Sequence, residues 1–223
     1  MTRRPTLLRT LALAVTASLA LSACGSDDGS KGDEKSKGND KAAGSESRSG
    51  TSASPTPSEL DSSGRPKITF PSDAKNVFEY EKTGDAVKDA VLADSTLSVN
   101  SVDEAIFEAS TGTKALGFYN SGKALEASIT FVRRYIDGGD TWTGETRYFN
   151  YKVTLSGTNK AYVTYCSDES RSYIKNRKTN TVDKTPTTED AYVLYNTALA
   201  KNAEGIWQTS NIVSNRGSKA CQP

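Results

Sequence analysis

The chain has 223 residues, with 28 basic and 27 acidic side chains and a formal charge of +1. A balance this even, with no evident basic face, argues against nucleic acid as a partner. Histidine is absent altogether, which excludes Ser-His-Asp and Cys-His nucleophile systems, imidazole acid–base chemistry and zinc sites with His ligands.

Arg3, Arg4 and Arg9 precede a run from Leu11 to Leu21 that is almost wholly apolar or small. Spanning a bilayer takes roughly 20 apolar residues, so this shorter run reads as the h-region of an export signal. It ends in Leu21-Ser22-Ala23-Cys24, which resembles the lipobox of bacterial lipoproteins at every position. That resemblance implies removal of residues 1–23, a diacylglyceryl group on the Cys24 sulfur, and anchorage at the outer face of the cell membrane. Two acyl chains suffice for stable anchorage. Thr2-Arg3-Arg4 with Leu7-Leu8 partly resembles a twin-arginine signal, and the general secretory route is the other option. Without the signal the chain carries 25 basic and 27 acidic residues.

Residues 24–66 are dominated by Ser, Gly, Asp, Lys, Thr and Pro. With almost no large apolar side chain, such a segment does not bury enough surface to offset the entropy of ordering it. A disordered tether is expected, followed by a single domain over 67–223, an ordinary size for one core.

Beyond Cys24 there are two cysteines, Cys166 and Cys221. Outside the membrane an even pair is most simply a disulfide, closing a loop of about 55 residues worth roughly 4 kcal/mol in the chain-entropy model. Two free thiols are the alternative, although nothing basic beside Cys166 favours a thiolate.

In chain order, Asp85 is a candidate N-cap. Val87, Ala90 and Val91, then Val102, Ala105, Ile106 and Ala109, recur at helical spacing. The β-prone stretch Ser95–Asn100 is expected to bend or break that helix. A short helical turn is expected over Lys114–Tyr119. The clearest helix carries Leu125, Ser128, Ile129, Val132, Tyr135 and Ile136 on one stripe and stops at Gly138-Gly139. The period then becomes two: Phe149, Tyr151, Val153 and Leu155, a turn at Gly157-Thr158-Asn159, then Ala161, Val163 and Tyr165. Asp168–Thr188 holds a strand with a polar excursion ending at Pro186. Tyr192–Leu199, a turn at 202–205 and Ile206–Val213 form a last hairpin.

Helices followed by a run of strands give an α+β domain. This order, with the longest helix just before the sheet, resembles the NTF2-like (cystatin-like) cone fold, in which helices pack on a curved antiparallel sheet. A cystatin-type wrap around one helix is the alternative topology. Asp140-Thr141-Trp142-Thr143-Gly144 and Tyr165-Cys166-Ser167-Asp168 also resemble small lipoproteins of high-GC Gram-positive bacteria.

The cone resemblance implies a cavity suited to small apolar molecules. Candidate lining residues are Tyr135, Tyr148, Tyr165, Tyr195 and Trp207, although core packing is the ordinary use of such side chains. Enzymes of this fold class use a pocket carboxylate with a Tyr or second acid. Asp168 is the candidate here, with Glu169 and Asp190 as others near strand ends. Asp137-Gly138-Gly139-Asp140 reads as a turn rather than a calcium loop. No metal or cofactor is expected. The expectation is therefore a membrane-anchored module that binds a small ligand or a protein partner, with a minor cone-type enzyme as the alternative.

Overall fold

A computed structural model describes residues 64–223. The signal segment 1–23, Cys24 and nearly all of the tether expected over 24–66 lie outside the described residues. Among the described residues, no helix is long and apolar enough to cross a membrane.

Strand β1 (Ala74–Phe78) comes first, then helices α1 (Ala86–Phe107), α2 (Lys114–Tyr119) and α3 (Gly122–Gly138). The remaining strands are β2 (Asp140–Leu155), β3 (Lys160–Asn176), the short β4 (Val182–Asp183), β5 (Tyr192–Lys201) and β6 (Trp207–Arg216). The sheet order is β1-β2-β3-β5-β6, with β4 on the far end of β3. All pairings are antiparallel except that of β1 with β2. The α+β class, with helices on a curved antiparallel sheet, is as expected, and three helices rather than one pack on it.

Three features differ from the sequence reading, the first being β1, a strand ahead of the helices where none was expected. Helix α1 is continuous for 22 residues and is longer than α3, so the helix just before the sheet is not the longest. Asp85 caps it as expected, its carboxylate accepting from the Val87 and Lys88 amides. The anticipated break at Ser95–Asn100 is absent because that stretch is buried between the other layers. Its hydroxyls find partners without unwinding the helix. Thr96 Oγ1 donates to the Ala93 carbonyl, and Ser98 Oγ to Oδ1 of buried Asn120 at 2.8 Å. Packing overrides a weak local preference. At its end, the Arg177 guanidinium reaches the Ile106 and Phe107 carbonyls, satisfying orphan acceptors.

The sheet also starts earlier than its apolar alternation suggests. Strand β2 begins at Asp140, directly after Gly139 closes α3 in the left-handed region at φ 68°. Gly144 is required inside β2: a Cβ there would stand 2.1 Å from the Arg171 carbonyl oxygen. Register shifts between Glu145 and Arg147, Phe149 and Lys152, and Ala198 and Leu199 interrupt the ladders. Such bulges add twist and curvature.

On the helix-facing side of the sheet, Tyr148, Val163, Tyr165, Leu199 and Trp207 pack against Val91 and Leu92 of α1. A second cluster joins Trp142 to Ile106, Leu116 and Val132, with Phe70 and Phe107 against its rim. The segment before β1 takes part in the packing. Arg65 forms an ion pair with Asp94, which is buried, and Asp94 Oδ2 also accepts from the Trp207 amide at 2.9 Å. On the opposite side of the sheet, Cys166 and Cys221 are joined as a disulfide with Cα atoms 5.5 Å apart.

Candidate functional site

Because side chains alternate along a strand, β3 sends Tyr165, Ser167 and Glu169 toward the helices and Cys166 and Asp168 away. Asp168 therefore does not line the interior. It lies 3.8 Å from Arg147 Nη1 and accepts from the Ser170 amide at 3.0 Å. Of the acidic candidates named from the sequence, Glu169 rather than Asp168 points to the helix side.

Glu169 lines a pocket of about 310 Å³ at the open end of the sheet. Tyr135 of α3, Trp142 of β2 and Arg216 at the end of β6 contribute walls, and the 183–191 segment covers it with Asp183 and Asp190. Arg216 Nη1 donates to Glu169 Oε2 at 2.8 Å and to the Asp190 carbonyl at 2.6 Å. Ser167 Oγ donates to Glu169 Oε1 at 3.3 Å.

Behind Trp142 stands a second carboxyl, Asp103 of α1. Its Oδ1 accepts from Trp142 Nε1 at 3.1 Å, and its Oδ2 from Asn76 Nδ2 at 2.7 Å. Enclosure by protein pushes its pKa up to about 7, against the two hydrogen bonds, with the Glu169 charge adding to the rise. A carboxyl that changes charge near neutrality is able to take or give a proton.

The predicted tyrosines divide. Tyr135 lines the pocket, and burial first, then the charges of Asp103 and Glu169, push its pKa up to about 12. Tyr148 and Tyr165 lie deeper in the core. Burial raises both far above the ordinary phenol range, with Asp103 the leading charge on Tyr148. Tyr195 is raised by burial and then by Glu169, while a hydrogen bond with Ser167 acts in the opposite direction. The Tyr165 ring stacks on Tyr151 at 5.1 Å and on Tyr195 at 5.0 Å, so these rings pack mainly against one another.

Trp207 is core as well. It packs with Val91 and Leu92 at the opposite end of β6 from Arg216, and Lys201 Nζ stands 5.7 Å from its ring centre. It is not brought to the pocket.

Sequence reasoning missed Asp103, Trp142 and Arg216 as site residues. A signal existed for Asp103: it sits between Val99, Val102 and Ile106, so it lies beside an apolar stripe rather than on an open face. Trp142 stands out in the sequence only within Asp140-Thr141-Trp142-Thr143-Gly144. Arg216 follows a polar run, Ser214-Asn215, with no local cue.

Among the described residues, no three His, Cys, Asp or Glu side chains are grouped to hold a metal ion. A more open depression of about 470 Å³ lies under the N-terminal segment, lined by Pro66, Phe70, Asn76, Asn100 and Tyr119 among others. It lacks the facing carboxylate and guanidinium of the first pocket.

No protein-family model matches this chain, and no curated protein sequence matches it. Among solved structures, a ketosteroid isomerase-like protein from Erwinia carotovora atroseptica aligns over 58% of this chain and 95% of that one, at 16% identity and a TM-score of 0.40. A putative ketosteroid isomerase from Shewanella frigidimarina aligns over 58% and 98%, at 12% identity and a TM-score of 0.33. The intermembrane space region of the chloroplast protein ARC6 aligns over 61% and 99%, at 11% identity and a TM-score of 0.38. Likenesses this low carry nothing about activity.

Proposed function

We propose that the folded domain is a small-ligand-binding module, held outside the cell by a lipid on Cys24. The observation that carries the binding reading is the pocket of about 310 Å³ where Tyr135, Trp142, Glu169 and Arg216 converge. Aromatic side chains beside placed charged groups are features of a ligand site, here within a largely polar lining, and this volume is at the lower end of the usual range. The exposed large apolar side chains (Tyr80, Val87, Phe131, Tyr162, Ile174 and Val213) are spread over several elements. Scattered residues of this kind do not make a protein-docking patch.

One observation favours a second reading, an acid–base enzyme. Asp103 changes charge near pH 7, and its charge is felt by Tyr135 and Tyr148. In that reading Glu169 and Tyr135, which line the pocket, are the base and the hydrogen-bond donor, and Asp103, behind Trp142, acts on Tyr135 through its charge.

Native mass spectrometry of the domain, purified gently after export, tests the binding reading. A retained small molecule that is lost on denaturation supports it. A clean apo mass that persists after incubation with host extract overturns it in favour of a protein-binding surface. Conversion of the retained molecule to a product of different mass selects the enzyme.

A further inference from the structure

We infer that the pocket between α3, β2 and the 183–191 segment takes a small organic cation, an amine or quaternary ammonium group, seated against Tyr135, Trp142 and Glu169. This inference rests on the small-ligand reading and names the ligand's chemistry.

The charges that line the pocket are unequal. Glu169, Asp183 and Asp190 face it with Arg216 as their counterweight. The Arg216 charge is already balanced: its Nη1 donates to Glu169 Oε2 and to the Asp190 carbonyl. An anion entering here meets a guanidinium whose charge Glu169 already balances, and it also meets the carboxylates of Asp183 and Asp190. A cation meets the surplus negative charge without breaking that pair, and Glu169 Oε1 has only the 3.3 Å contact from Ser167 to compete with it.

The walls are suited to the same charge. Tyr135 and Trp142 offer aromatic rings, and ring faces attract ammonium groups, most strongly where water is excluded. The Trp142 Nε1–H is bound to Asp103, so the polar edge of the indole is turned away from any pocket ligand. A carboxyl at that edge places further negative charge beside the ring whenever it is ionised. Polar residues Ser170 and Ser172 also line the space and can accept hydrogen bonds from a primary ammonium.

The test is isothermal titration calorimetry of the full chain, isolated in a mild non-ionic detergent, at constant ionic strength. The probes are n-butylammonium and its anionic counterpart, butyrate. Butylammonium is expected to bind and butyrate not to. Glu169→Gln should weaken butylammonium binding at least tenfold. Arg216→Gln should tighten it several-fold by freeing the Glu169 carboxylate, an increase that a damaged fold would not produce. Butyrate binding that is lost in Arg216→Gln would overturn the inference while leaving a small-ligand pocket in place. Binding of neither probe also overturns it; a retained neutral molecule in the mass spectrum would then show that the ligand-binding reading itself survives.

Discussion

The indole nitrogen of Trp142 donates a 3.1 Å hydrogen bond to Oδ1 of Asp103, and through it β2 is tied to the second half of α1. Asp103 meets Asn76 of β1 through its other oxygen. Three elements thus converge on one carboxyl with a pKa of about 7.

That value has a consequence for stability. The folded-state pKa stands above the unfolded one, so this group's contribution is complete below about pH 4 and is lost as pH rises through about 7. From pH 5 to pH 8 the contribution should fall by about 2 kcal/mol. Urea denaturation of the wild type and of Asp103→Asn at both values measures it. The difference between the two proteins should shrink or reverse at pH 8; a pH-independent difference would show that Asp103 titrates normally.

Arg65 holds the N-terminal segment to the domain. Its partner Asp94 is almost fully buried and also caps the Trp207 amide. Removing one member of a buried pair strands the other charge. Arg65→Ala should therefore cost about 2 kcal/mol, less than for a fully enclosed pair because Arg65 keeps some solvent contact. A chain started at Lys67 should lose a similar amount relative to one started at Gly64. Equal melting temperatures for the two chains would refute the role of this pair.

The Cys166–Cys221 disulfide holds the C-terminal tail to β3. Closing a loop with a sequence separation of 55 is worth roughly 4 kcal/mol in the chain-entropy model. Cys221→Ser should lower the denaturation midpoint accordingly and free the last residues for proteolysis. Alkylation of the denatured, unreduced protein followed by peptide mapping should find neither cysteine labelled.

The anchor is testable without reference to the fold. Cys24→Ala should leave an unprocessed precursor or release the protein to the medium. Mature, membrane-bound protein at wild-type level in fractionated cells would remove the lipid from the account.

Asp168 and Glu169 show what one residue of parity decides. Asp168→Asn should leave ligand retention in the mass spectrum unchanged, since its side chain faces Arg147 on the outer side of the sheet. Glu169→Gln should reduce it. The opposite pattern would mean that the strand register assigned to β3 is wrong.

By itself the sequence determined the α+β class, α3 with its glycine stop, the alternating strands β2, β3, β5 and β6, and the cysteine pairing as the simplest choice. These follow from local regularities: a helical stripe, a period of two, and an even cysteine count. Tertiary structure decided the rest. Burial of Ser95–Asn100 kept α1 whole where local preference would break it. The pairing of β1 with β2 could not be read from five residues, AKNVF, that show little alternation. The site was decided the same way. Asp103, Trp142 and Glu169 are brought together only by the packing of α1 against β2 and β3, and a carboxyl becomes chemically unusual only once other elements crowd around it and thin its water.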